Sequence, residues 1–225
     1  MKIIEQSVKV LFPRSLDRGV EELKDIEFAG RNCWRSEGKT TDDSYNQFIE
    51  NLRKRGHDSP IEFAFIKLVL TTSRDVMAEL TRHRLVSFAI ESQRYVNESK
   101  DEGGIKFIKP LFYEAFDPYY DYRVPYEGDR NMRYEASRGW EDAMALAEDA
   151  YNQMIDMGMK NQDARKVLPN STACQIVMAC NLRELLHIYG LRSSAAAYPE
   201  MRELMRLLKI EVDKVYPGFL PEDKS

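Results

Sequence analysis

The chain has 225 residues, 43% of them hydrophobic and 31% charged, a balance that suits a folded soluble core and argues against disorder. Its net charge of -4 disfavours the broad basic face that coats a nucleic-acid backbone, so no nucleic-acid partner is expected and any anion site must be local. No apolar run approaches the roughly 20 residues of a bilayer span, and the opening MKIIEQSVKV lacks the sections of a secretory signal, so neither a membrane nor export is expected.

In chain order, residues 3–12 alternate loosely into Val8, Val10 and Phe12 and predict a short strand. Leu16 to Cys33 carries Leu16, Val20, Leu23, Ile26 and Ala29 at helical spacing, and Asp42 to Arg55 carries Tyr45, Phe48, Ile49 and Leu52 behind a TTDD start suited to N-capping. The run IEFAFIKLVL over 61–70 is apolar on both alternating faces and predicts a central strand covered on two sides. Ser73 can cap a short helix with Val76, Met77 and Leu80 on one face, and continuing that face reaches His83 and Arg84, two polar groups on a buried side. From about residue 96 to 131 the chain is irregular, acidic and rich in tyrosine, with FIKP at 107–110 as a strand end; the run from Tyr113 to Tyr126 reads as loop packing before it reads as a stacking surface.

Arg133 to about Gly158 is the longest helical pattern, with Trp140, Met144, Ala147, Tyr151 and Met154 on one stripe. TACQIVMAC (172–180) predicts a strand, after which Asn181 can cap a helix carrying Leu182, Leu185, Leu186 and Tyr189, with Gly190 as a left-handed stop. Pro199 opens a last helix with Met201, Leu204, Met205, Leu208, Val212 and Val215. No linker or repeat divides the pattern, which predicts one α+β domain over residues 1–225, a small mixed or antiparallel sheet packed by helices. Several patterned faces leave room for an oligomer.

The densest polar cluster is RHRLVSFAIESQRY at 82–95, which holds Arg82, His83, Arg84, Ser87, Ser92 and Arg94. Crowded fixed cations call for an anion, and arginine forks with serine hydroxyls suit a phosphate. A solvated basic turn, or ion pairs to Glu79, Glu91 and Glu98, would explain the same residues. The three cysteines, Cys33, Cys174 and Cys180, form no CxxC pair and sit in no basic turn, so neither a disulfide framework, a metal site nor an activated thiolate is indicated, and a reducing cytoplasm fits them.

The spacing R-H-R, two residues, S, four residues, S, one residue, R resembles the signature of the flavin-dependent thymidylate synthases. GHDSP (56–60) stands before it, and DARKVLP (163–169) and NLRELLHIYGLR (181–192) follow it, all similar to motifs of that family. The resemblance runs from about Ile3 to Pro217. It implies the thymidylate synthase-complementing fold, a homotetramer with shared active sites, bound FAD, and the methylation of deoxyuridine monophosphate (dUMP) to thymidylate, with NADPH and methylenetetrahydrofolate as co-substrates. By position, His57, Ser59, Arg82, His83, Arg84, Asn181, Arg183 and His187 resemble residues that hold FAD. Glu79, Ser92, Gln93, Arg94 and Arg165 resemble the nucleotide-binding set, with Arg94 and Arg165 at the phosphate, and Arg192 resembles the arginine that polarises uracil.

Taken singly, each has a plainer reading: His57 as a surface histidine, Ser59 as a turn residue, Asn181 as an N-cap, Arg183 and His187 as a polar helix face, Arg165 as a partner of Asp163, Arg192 as a helix-end cation. The chain also departs from the family pattern. Ala89 and Ile90 stand where polar residues are common, and Ala196 stands where a basic residue is usual. A flavin-dependent relative that modifies a pyrimidine nucleotide differently, by hydroxymethylation for example, and a non-catalytic nucleotide-binding protein therefore remain as alternatives.

Overall fold

Strand β3 (Phe65–Ser73) buries Ile66, Leu68, Leu70 and Thr72 while Phe65 and Lys67 stand exposed. Strand β6 (Ala173–Asn181) repeats the alternation, burying Cys174, Ile176, Met178 and Cys180 and exposing Gln175. This period of two marks a sheet with one covered face. The expectation that 61–70 is a strand covered on both sides is thus corrected: Phe65 is 53% exposed, and the strand begins later because Ser59–Phe63 form a 3-10 turn with Pro60 at its start. In this computed structural model, residues 1–11, 16–100, 103–113 and 130–222 are described, with 16, 99 and 130–135 described by backbone alone.

A four-stranded sheet runs in the order β2 (Ser7–Val10), β3, β6, β4 (Ser87–Ile90), and strands β1 (Lys2–Ile4) and β5 (Lys106–Ile108) pair in parallel, Ile3 opposite Phe107. The Leu182 N–H bonds the Ala64 carbonyl before β3, and the Arg74 N–H bonds the Asn170 carbonyl after it, so β3 and β6 are antiparallel. Helices α1 (Leu16–Asn32), α2 (Ser44–Lys54), α3 (Arg74–Leu80), α4 (Arg130–Asp156), α5 (Asn161–Ala164), α6 (Leu182–Arg192) and α7 (Pro199–Asp213) complete an α+β chain of helices on small sheets, as the pattern of elements predicts. By its internal contacts the chain divides into two compact units: Met1–Ser7, Thr71–Leu80 and Ile90–Ile176 form the first, Val8–Leu70, Thr81–Ala89 and Val177–Ser225 the second.

In the first unit, Met144 and Tyr151 of α4 pack with Ile105, Phe107 and Ala164, flanked by Trp140 and Met154, so the predicted stripe does face a core. The Ile105 N–H donates to the buried Glu148 carboxylate at 2.7 Å, and the Trp140 indole N–H donates to Ser171 Oγ at 3.1 Å. The irregular segment predicted from about 96 to 131 is interrupted by β5, and its tyrosine-rich part beyond Tyr113 lies outside the described residues.

In the second unit, α1 and α2 are tied by polar contacts between their facing sides. Arg31 grips Glu27, Ser44 Oγ donates to Glu27 at 2.7 Å, and the Arg31 guanidinium lies 4.8 Å from the Phe48 ring centre. Helix α2 starts on Ser44 with Asp43 at the N-cap, but Asp43 makes no side-chain cap bond, so the capping expected of the TTDD start is not found there; the Ser44 hydroxyl instead accepts from the preceding Thr41 N–H. Gly19 on α1 lies against the Val215 backbone, where a Cβ would meet the Val215 carbonyl oxygen at 1.9 Å. Gly139 on α4 has open space around the same position. A helical glycine costs roughly 1 kcal/mol against alanine, so Gly139→Ala should raise stability by up to about that amount. Gly19→Ala should lower it by about 1–3 kcal/mol, since the overpacking outweighs the propensity gain. Denaturant midpoints of the two variants should move in opposite directions; an equal rise in both would refute the close approach.

Candidate active site

Strand β6 runs straight into α6. Asn181 keeps extended dihedrals (φ -74°, ψ 163°) and its side-chain oxygen accepts from the Glu184 N–H at 2.8 Å, the N-cap predicted for it. The helix does not stop at Gly190. That residue is absent from the positive-φ glycines, and α6 continues to Arg192, where the Ser193 N–H and hydroxyl both bond the Tyr189 carbonyl. A serine that closes the last turn removes the need for a left-handed glycine. Arg192 therefore rides on the final helical turn, and the expected position beyond a glycine stop is corrected.

Helix α3 ends at Leu80, and the chain turns through Arg82, His83 and Arg84. One-residue alternation sends both arginines to solvent and His83 inward, where it is 7% exposed; the expected burial of Arg84 beside it is not found, because the helix that would have carried both has ended. Arg192 Nε–H donates to His83 Nε2 at 3.0 Å, His83 Nδ1 lies 3.7 Å from Glu184 Oε1, and the ring meets that of His187 edge-on at 5.9 Å between centres. Burial, then the Arg192 charge, then His187 hold the His83 pKa below the ordinary histidine range. His83 is thus the neutral acceptor that the Arg192 bond requires.

The same unit holds the GHDSP turn. Gly56, at φ 68°, ends α2 in the left-handed region, exposed His57 stacks on Trp34 at 5.8 Å, and Ser59 is exposed where Pro60 is buried. Arg183 is exposed and paired with Glu62. Among the described residues neither Arg82 nor Arg84 forms an ion pair. Exposed guanidinium groups without an ion pair, and exposed histidine and tryptophan rings in the same unit, are donor types that suit an anionic, ring-bearing cofactor such as FAD. The fit is uneven, because His83 Nε2 already accepts from Arg192 and Asn181 Oδ1 from the Glu184 N–H. His83, Glu184 and His187 bring three ligand-capable atoms within 4.8 Å of one another, but the adjoining Arg192 charge opposes a metal cation there.

In the first unit, Ser92, Gln93, Arg94 and Tyr95 form a turn in which the Tyr95 and Val96 N–H groups bond the Ser92 carbonyl. The turn is held to α5 by Asn161 Nδ2, which donates to the Tyr95 carbonyl at 3.3 Å, and Arg165 caps the C-terminus of α5. Arg94 and Arg165 are both exposed, Glu79 is half-buried on α3, and no ion pair involves either arginine among the described residues, so Arg165 is not a partner of Asp163. The Glu91 carboxylate accepts from the Gln175 N–H and its carbonyl from Arg74, and among the described residues it pairs with neither Arg94 nor Arg165. Gln93 Nε2 is buried and has no hydrogen-bond partner among the described residues.

Trp34, Glu62 and Glu184 are neighbours of these groups that the sequence does not single out. Trp34 follows the end of its helix without periodicity, and Glu184 stands where a capping-box acid is expected and so looks explained. Burial pushes the Cys174 thiol up to about 11 and that of Cys180 to about 12, so neither is a thiolate, in line with the expected absence of an activated cysteine.

Residues 16–218 match the family model described as thymidylate synthase complementing protein. A flavin-dependent thymidylate synthase of Halobacterium salinarum is 34% identical over 181 residues, which cover 76% of this chain and 72% of that protein. One of Geobacter sulfurreducens is 31% identical over 195 residues, covering 82% and 76%. Among solved structures, the UMP/dUMP methylase PolB from Streptomyces cacaoi bound with 5-Br dUMP has a TM-score of 0.76 at 23% identity, covering 97% of this chain and 95% of that one. Thymidylate Synthase X from Helicobacter pylori with FAD and dUMP has a TM-score of 0.68 at 21% identity, covering 96% and 97%. Those two structures share the fold, and the family match with the sequence relatives shows the lineage: the chain belongs to the thymidylate synthase complementing protein family, that of the flavin-dependent thymidylate synthases.

Proposed function

We propose that the protein converts dUMP to thymidylate, with FAD bound, NADPH as reductant and methylenetetrahydrofolate as carbon donor. The observation that carries this is an unmet demand in one turn and its neighbour. Arg94 and Arg165 have no counter-charge among the described residues, and the amide of Gln93 is buried without an acceptor. A pyrimidine nucleotide meets both demands, its phosphate taking the guanidinium forks and its ring carbonyl the amide. The relatives' names, and the similar structure that holds FAD and dUMP, support the same substrate and cofactor.

On this reading Arg94 and Arg165 bind the phosphate, and Glu79, Ser92 and Gln93 orient the nucleoside. FAD would be held by His57, Ser59, Arg82, Arg84, Arg183 and His187, with His83 and Asn181 fixing the frame behind them, and when bound it supplies the hydride that completes the methyl group. Release of Arg183 from Glu62 costs little, because an exposed pair is worth roughly 0–1 kcal/mol. Uracil C5 is a poor nucleophile until negative charge builds on the ring, and Arg192 is the cation that stabilises that charge. The active unit is a homotetramer.

A second reading, a relative that acts on another pyrimidine nucleotide or leaves a different group, is favoured by Ala89 and Ile90. They put one exposed and one half-buried apolar side chain inside the signature. A product assay decides. Purified protein should be yellow, and with NADPH, dUMP and methylenetetrahydrofolate it should form thymidylate; yellow protein that turns over UMP instead, or yields another product, would establish the second reading, and colourless protein that binds nucleotide would refute both.

Arg94→Ala and Arg165→Ala should each weaken dUMP binding by about 1.5–3 kcal/mol, the worth of a charge-assisted bond, and leave deoxyuridine binding almost unchanged. Calorimetry with the two ligands checks this, and normal dUMP affinity in both variants would remove the phosphate assignment. Arg192→Ala should cost about 3–4 kcal/mol in the transition state, roughly 10²–10³ in turnover, while NADPH still reduces the flavin. Arg192→Lys should recover little, because an ammonium lacks both the Nε–H that bonds His83 and the planar guanidinium fork. Stopped-flow of each half-reaction separates the two steps; thymidylate formation at the parent rate would reduce Arg192 to a helix-end cation.

A further inference from the structure

Glu184 carries a charge that its own helix does not use. It is the third residue after the Asn181 cap, the place from which a capping-box carboxylate turns back to the cap N–H. Asn181 bonds the Glu184 backbone, yet among the described residues the carboxylate's one polar contact is with His83, 3.7 Å from Oε1 to Nδ1. The carboxylate is 7% exposed, a costly setting for a charge without a task.

The proton count around His83 supplies the task. Arginine never gives up its proton, so the Arg192 Nε–H can only donate, and His83 Nε2 must accept with a bare lone pair. A neutral imidazole then carries its one proton at Nδ1, the atom turned toward Glu184. Loss of the carboxylate's field frees the ring to move its proton to Nε2, where it would face a second donor and push Arg192 away.

The geometry points to Glu184 as a positioning residue for Arg192: its carboxylate fixes the His83 tautomer, and His83 Nε2 fixes the guanidinium plane presented to the substrate ring. This rests on the proposal that Arg192 acts on uracil.

The test uses the flavin-loaded enzyme with NADPH, dUMP and methylenetetrahydrofolate, comparing Glu184→Gln, Glu184→Asp and Arg192→Ala with Glu184→Gln made in the Arg192→Ala background. Glu184→Gln should slow thymidylate formation about tenfold, as loss of a group acting through its neighbour does, and leave dUMP affinity and flavin reduction within about twofold. Glu184→Asp, which keeps the charge, should recover part of the rate. In the Arg192→Ala background Glu184→Gln should add no further loss, the mark of two residues acting as one unit. A merely structural glutamate would lower the melting temperature and slow both backgrounds equally, and that result overturns the proposal. Glu184→Gln at the parent rate beside a slow Arg192→Ala overturns it while the reading of Arg192 stands, whereas Arg192→Ala at the parent rate fails that reading first. If Glu184→Gln does not fold, Glu184→Asp carries the comparison: slowing confined to the Arg192-containing enzyme supports the proposal, and equal slowing in both backgrounds refutes it.

Discussion

A helix that begins on the last residue of a buried strand has free amides at its start and little freedom to satisfy them. Asn181 resolves this by ending β6 and capping α6 with the same side chain. The junction fixes where α6 points, and so it fixes Glu184, His187 and Arg192 relative to one another before any ligand is considered. The 3-10 turn at Ser59–Phe63 joins the same construction, because the Leu182 N–H is held by the Ala64 carbonyl just beyond it. One cap thus orders the polar groups of the second unit, and the Arg192 bond to His83 is its outermost product.

The first unit works on a different principle. Its turn at residues 92–95 holds a buried amide without an acceptor, a cost to the free protein, next to an exposed arginine that forms no ion pair among the described residues. The Arg94 guanidinium lies 5.3 Å from the centre of the Tyr95 ring, a contact that keeps the charge near its turn without neutralising it. On the proposed reading, substrate affinity and apo stability are set against each other at the Gln93 amide.

Much of this was legible in the sequence. The Asn181 cap, the Trp140 to Met154 stripe, the buried face of α7 and the order of strands and helices all follow from periodicity and capping chemistry. Ordered motifs pointed to the family when single residues did not. What periodicity missed was contingent on packing. Gly190 is a plausible stop until Ser193 closes the turn, and Arg84 continues a helical face only if α3 outlasts Leu80. The apolar run at 61–70 shows no sign that one face stays open, because Phe65 is apolar and exposed. Glu184 was hidden for the opposite reason: capping gave it a sufficient explanation, and only the direction of its carboxylate shows a second partner.

The state of the thiols bears on how such an enzyme is inhibited. Electrophiles that trap a ring-attacking cysteine need a thiolate, and Cys174 and Cys180 are buried with thiols pushed up by that burial. Cys33 is exposed, and its sulfur is directed to the Ala29 carbonyl at the end of α1. Alkylating agents would mark that surface thiol, which directly precedes Trp34. On the proposed assignment, selective blockade instead imitates charge, with a dianion for Arg94 and Arg165 and a polarisable ring edge for Arg192.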